Sequence, residues 1–214
     1  MKTDQILPPP KVYELLREAA AWRLISLLFE CPSGNWAEQV HGLARELEDP
    51  RLRQAAEASR EEASEGLYHS ILGPGGPVSP REVSYHETIQ LGYLLSELEA
   101  YYRAFAYTPA TQEARDHVSV EAGFVSYLRL KEAFALTQSA TADAELTGQA
   151  AQSFQHNHLA LMAEALVERL RPSGVRYLNL TAEALLSRTG PRPGFRVLKP
   201  EVEEWALDEP FVCG

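Results

Sequence analysis

Cysteine is scarce in this chain: two residues in 214, Cys31 and Cys213, near opposite ends. They form neither a C-x-x-C pair nor a zinc spacing. Two idle thiols in a reducing compartment are therefore expected, rather than a disulfide framework. Positive charge is short as well, with 20 Lys and Arg against 30 Asp and Glu and a net charge of −10. Nucleic-acid binders neutralise phosphates with Lys and Arg, so that class is not expected, and a partner carrying positive charge is. Long apolar runs are missing too. The most apolar stretch, 19–29, is interrupted by Arg23 and falls short of the roughly 20 residues that span a bilayer. Pro8-Pro9-Pro10 occupies the place where a secretory leader carries its apolar region. The expectation is a cytoplasmic protein with no direct membrane insertion. Alternating strand patterns are lacking as well, and Phe195 to Leu198 is the one weak candidate.

What is present is helical periodicity. Apolar residues recur at Tyr13, Leu16, Ala20, Leu24, Leu27 and Leu28, and Cys31-Pro32-Ser33-Gly34 ends the stretch. Further helices are predicted over 36–47, 52–72, 88–107, 116–136, 144–170 and 176–187. In the helix from 116, Val120, Phe124, Tyr127, Leu128 and Leu130 are expected to face inward. The longest break is 73–80, with three Gly and three Pro in eight residues. Pro lacks the amide donor and Gly costs backbone entropy, so this is a shaped loop and not helix interior. The fold class expected is all-α, a single-domain bundle of seven or eight helices. It occupies 1–189, and 190–214 forms a Pro/Gly linker followed by an acidic tail at Glu201 to Glu209.

Four segments could carry chemistry. The 73–80 loop has no Lys and follows no strand, so it lacks the features of a phosphate cradle. Next comes Pro80 to Glu87, where Ser84 and Glu87 have the spacing of a capping box at a helix start, and where Glu82 and Tyr85 are binding candidates. In Asp116-His117-Val118-Ser119-Val120-Glu121, Asp116 suits the first turn of a helix. His117 and Glu121 stand four apart on one face, as an acid/base pair or half a metal site would. The fourth is His156-Asn157-His158. Two positions apart on a helix point about 200° apart, so the two rings cannot share a metal; one is expected inward and hydrogen-bonded, the other in solvent. No nucleophile elbow, zincin motif or catalytic cysteine context is present in the sequence.

Three segments together carry a resemblance. Tyr68-x-x-Ile71-Leu72-Gly73-Pro74-Gly75, followed by Pro80-x-Glu82-x-x-Tyr85, is one. Asp116-His117-Val118-x-x-Glu121-x-x-Phe124-x-x-Tyr127-Leu128 is the second, and Phe154-x-x-x-His158-Leu159 the third. In this order they resemble the motifs of the TorD/DmsD/NarJ family of molybdoenzyme maturation chaperones. The chain departs from the family pattern at Ala122-Gly123 after Glu121, at Met162 where many members carry Trp, and in the spacing of the 73–80 loop. The resemblance implies an all-α cytoplasmic chaperone, not an enzyme, with no cofactor of its own. Its partner would be the apo-form of a molybdopterin-containing oxidoreductase subunit. It would bind that subunit's N-terminal, twin-arginine leader-like region while cofactor is inserted. Carried over by position, the client-binding residues are Tyr68, Gly73, Pro74, Glu82, Tyr85, Asp116, His117 and Glu121. Asp116 and Glu82 are expected on an arginine-facing rim, with Tyr85 lining an apolar groove. Monomer and domain-swapped dimer are both open. Two other classes stand beside this one. One is a small helical metal-dependent hydrolase using His117, Glu121 and His158; the other is a structural subunit of a respiratory complex.

Overall fold

The structure, a computed structural model, describes residues 10–191. Nine α-helical segments follow in order: α1 Pro10–Leu28, α2 Trp36–Glu46, α3 Pro50–Glu62, α4 Glu65–Ile71, α5 Leu91–Ala104, α6 Val118–Thr137, α7 Thr141–Phe154, α8 Ala160–Leu170 and α9 Arg176–Thr189. α7 and α8 are joined without interruption by a π-helical turn, Gln155–Leu159, so they form one rod and the bundle has eight. No strand occurs among the described residues. The chain is all-α and is organised as a single bundle.

α1 and α6 form the central antiparallel pair. Val12 and Leu15 pack with Ala133, and Ser126 Oγ donates to Ala19 O at 2.8 Å. From Ala19 to Leu28 almost every α1 side chain is buried, because neighbours cover it on several sides. The start of α1 is different. Val12 and Leu15 face inward, while Tyr13 and Leu16 are 41% and 40% exposed, against the expected register. Leu130 of α6, also expected inward, is 47% exposed. α3 runs antiparallel to α9. Arg188 Nη2 donates to Asp49 Oδ2 at 2.7 Å at one end, and Tyr177 N donates to Glu62 Oε2 at 2.9 Å at the other. An aromatic knot of Tyr101, Tyr102, Tyr107, Phe124 and Phe154 fills the centre, with Phe124 and Phe154 ring centroids 4.8 Å apart.

The helix expected over 52–72 is two helices. Ala63 leaves helical geometry at φ −74, ψ 126, and Ser64 Oγ accepts from Leu67 N at 3.2 Å. That side-chain cap replaces a lost backbone bond and makes the break cheap. It redirects α4 so that Tyr68 and Ile71 reach the interior. The expected capping box at Ser84 is also not found. Glu82–Tyr85 is a 3-10 turn, Ser84 Oγ donates to Ser79 Oγ, and the next helix waits until Leu91. The linker and acidic tail expected after 190 lie, apart from Gly190 and Pro191, outside the described residues, as do Cys213 and the weak strand candidate 195–198.

Candidate functional site

The Gly/Pro loop leaves α4 by folding back on its last turn. Gly76 N donates to Gly73 O at 2.9 Å, and Val78 N donates to Ile71 O at 3.2 Å. A Cβ on Gly73 would stand 2.5 Å from His69 O, and one on Gly76 would stand 2.5 Å from Ile71 O. These two positions are glycine because the loop backbone lies directly on the helix-end carbonyls. Val78 is fully buried and pins the loop. Between loop, α4 and the approach to α6 lies a pocket of about 400 Å³, walled by Tyr68, Leu72, Pro74, Arg81, Glu113 and His117 among others.

The segment after the loop is stitched to the start of α6. Glu82 N donates to Asp116 O at 2.8 Å, and Val118 N donates to Pro80 O at 2.9 Å. Asp116 is fully buried; its carboxylate pairs with Arg81 Nε and accepts from Val83 N at 3.4 Å. The N-cap of α6 is therefore His117, not Asp116. His117 Nδ1 accepts from Ser119 N at 3.1 Å and lies 2.7 Å from Ser119 Oγ. With Nδ1 accepting, the network assigns the ring proton to Nε2. Nε2–H faces Tyr68 Oη at 3.2 Å, and Tyr68 Oη donates to Glu113 Oε1 at 3.1 Å. Burial, with Arg81 adding to it, pushes the His117 ring down to about 3, so the ring is neutral at pH 7. Burial and then the Glu113 charge push the Tyr68 hydroxyl far up, so it stays a donor. The result is a directed chain, His117 to Tyr68 to Glu113, ending on a carboxylate at the pocket.

Behind this wall lies a second network. Glu82 is fully buried; its Oε1 faces His86 Nε2 at 2.8 Å, and its Oε2 faces His158 Nδ1 at 3.1 Å. Burial pushes the Glu82 carboxyl up, but the hydrogen bond and charge of His158, with the bond from His86, outweigh burial and hold it below its ordinary value. Glu121 is equally buried, and its two oxygens meet no N–H or hydroxyl donor. Burial, then the Glu82 charge and a carboxyl-to-carboxyl hydrogen bond, and then Asp116, push Glu121 well above its ordinary value. The two facts fit one arrangement: Glu121 keeps its proton and donates it to the Glu82 carboxylate. His158 reaches this network from the π turn, its ring 4.5 Å from the Phe154 ring, while His156 is exposed. That division between the two histidines is as expected from their spacing.

The candidate residues thus fall into three groups. Tyr68, Gly73, Pro74 and His117 come together at the pocket. Asp116, Glu82 and Glu121 are 0% exposed, so none of them stands on a rim. Tyr85 is 5% exposed and lines no groove; its hydroxyl donates to Ser79 O, and the Arg169 guanidinium lies 4.8 Å from its ring centre. It braces the pocket wall from behind. Arg81, Glu113 and His86 escaped the sequence reading. For Glu113 the one available signal was its place four residues before His117 in an otherwise unremarkable loop.

His117 bonds to Tyr68, whereas Glu121 and His158 both bond to Glu82, so the three do not converge on one point, and no group of three or more His, Cys, Asp or Glu among the described residues could hold a metal ion. Cys31 Sγ lies 3.9 Å from His69 Nε2, and burial followed by Glu65 and Glu113 pushes its thiol up, so it rests protonated. A larger cleft of about 700 Å³ lies between α1, α6, α7 and the end of α9. Its arginines are already paired, Arg17 with Glu48, Arg129 with Glu132 and Arg188 with Asp49, and it holds none of the candidate residues. No helix of the described residues is long and apolar enough to cross a membrane. Compared with family models, with curated proteins and with solved structures, the chain matches none.

Proposed function

We propose that this chain is a cytoplasmic maturation chaperone resembling the TorD family. It holds the cationic, apolar N-terminal leader of a molybdopterin-containing oxidoreductase subunit before cofactor insertion, and performs no turnover. The observation that carries the reading is the pocket beside the Gly/Pro loop. Glu113 is the only acid among its lining residues, and it stands over apolar surface from Leu72, Pro74 and Pro80. Arg81, the one Lys or Arg there, is already neutralised by buried Asp116. A guanidinium approaching Glu113 therefore meets a carboxylate with one neutral donor, Tyr68, and no competing free cation. The net charge of −10 adds long-range attraction for a basic peptide.

A lining that sets one acid, Glu113, beside apolar Leu72, Pro74 and Pro80 suits an extended segment with one basic and one greasy side. Buried Asp116, Glu82 and Glu121 hold that wall in place rather than touching the client. Titration calorimetry with a twin-arginine leader peptide tests the reading. Glu113→Gln is expected to weaken binding about tenfold and to flatten its salt dependence, as loss of a rim charge does. Unchanged affinity and unchanged salt dependence would remove the pocket from the function.

A further inference from the structure

Most lysines and arginines of the described residues hold an ion pair with a carboxylate. Arg169, Arg171 and Arg176 are exposed and hold none among the described residues. They cluster at the tight connection between α8 and α9, where Gly174 at φ +69 turns the chain. Arg169 rests on the Tyr85 ring, which leaves its charge unneutralised, so three arginines without a carboxylate partner, on a protein of net charge −10, are a local reversal of sign. Such a patch attracts anions.

The chain carries an anionic segment of its own. Glu201, Glu203, Glu204, Asp208 and Glu209 fall within nine residues, with Val202, Trp205 and Leu207 between them. The chain leaves the bundle at Gly190, the far end of α9 from the arginines. α9 has 14 residues, so the distance to recover is about 21 Å at 1.5 Å per residue. The ten residues 191–200, extended, span up to about 33 Å. The acidic segment can therefore reach the arginine patch by running back beside α9.

We propose that residues 201–209 dock intramolecularly on the patch formed by Arg169, Arg171 and Arg176. This inference does not depend on the client reading. Individual exposed ion pairs are weak, but a short tether raises the effective concentration of the segment to the order of millimolar. Millimolar-strength pairing is then enough to keep the segment seated about half of the time or more. Five carboxylates against three guanidinium groups, with the Trp205 ring as a surface on which a guanidinium can stack, meet that requirement.

The test uses the full chain. Trp205 is the one Trp outside the described residues, while Trp22 and Trp36 are buried in the core, so subtracting a Trp205→Phe spectrum isolates its fluorescence. In Arg171→Glu/Arg176→Glu the acrylamide quenching of Trp205 is expected to rise about twofold, and 1 M salt is expected to do the same to the unmodified chain by screening. A second variant, Arg171→Lys/Arg176→Lys, keeps the charges and supplies amines for carbodiimide coupling. Amide links from Lys at 171 or 176 to the carboxylates of 201–209 within one chain support the proposal. Links only between chains, or no links together with quenching that neither charge reversal nor salt alters, overturn it.

Discussion

His158 Nδ1 stands 3.1 Å from Glu82 Oε2, across 76 residues of sequence and with both side chains almost wholly buried. A π turn presents the histidine and a 3-10 turn presents the glutamate, so neither partner comes from regular helix. Irregular turns of this kind recur where a side chain must be re-aimed. Here the contact ties the segment behind the pocket wall to the long α7–α8 rod.

Glu82 and Glu121 are predicted to behave oppositely on substitution. Glu82→Gln removes the anion that two imidazoles face, and removing one partner of a buried pair costs about 3 kcal/mol. Glu121 already holds its proton, so Glu121→Gln keeps shape and neutrality and costs less than about 1 kcal/mol near pH 5. The pH signs differ as well. The depressed Glu82 value contributes stability above the unfolded carboxyl value of 4.5, lost as pH falls through the folded value. The raised Glu121 value contributes most below 4.5 and loses it as pH climbs towards the folded value. Urea titrations between pH 5 and 8 should therefore show Glu121→Gln gaining on the unmodified protein as pH rises. A parallel pair of curves would mean that Glu121 is ionised in the fold.

His117 gives a slope on the acid side. Its ring titrates at about 3 in the fold against 6.5 in the unfolded chain, so stability falls as pH drops through 6.5 towards 3. The loss approaches about 1.4 kcal/mol per pH unit, one proton's worth. His117→Asn keeps a side chain able to cap α6 and removes the titration. Its stability should be flatter between pH 6 and 4, measured by denaturant unfolding at each pH.

Glycine to alanine separates two kinds of glycine. Gly73→Ala and Gly76→Ala place a methyl 2.5 Å from backbone oxygens of α4, which cannot move aside alone. Each should destabilise by more than about 1 kcal/mol and open the loop. Gly66 in α4 has nothing within 4 Å of its would-be Cβ, and Gly66→Ala should stabilise by about 0.5–1 kcal/mol. Thermal melts of the three variants check this in one experiment.

Arg81 and Asp116 should be strongly unequal. Asp116 is 0% exposed and the Arg81 side chain 34%. Arg81→Ala leaves a buried carboxylate with one remaining long hydrogen bond and should cost about 3 kcal/mol. The double variant Arg81→Ala/Asp116→Ala should recover part of that loss, and a double-mutant cycle measures how much. Additive losses would show that the pair does not interact.

Periodicity alone located the helices because burial of one stripe leaves a mark in spacing, as at Leu94, Leu98 and Tyr102 of α5. It misplaced Tyr13, Leu16 and Leu130 because an apolar residue reads the same whether a neighbour covers it or not. It joined α3 to α4 because Ala and Glu favour helix on both sides of Ser64; the Ser64 cap and the docking of Glu62 against Tyr177 N together fix the break there. The Gly/Pro loop and the Asp116-His117 start were visible as residues, since Pro, Gly and capping side chains act locally.

Which of those residues face a ligand was decided by tertiary structure. Glu82, Asp116 and Glu121 look like surface acids in the sequence; packing encloses all three and then sets which one keeps a proton. Glu113 carries no local signature and becomes the half-buried acid of the pocket through the course of the chain before α6. Local backbone preference is written in neighbouring residues and can be read from them. Charge state and exposure depend on what arrives from 40 or 80 residues away, and only the folded chain brings those groups together.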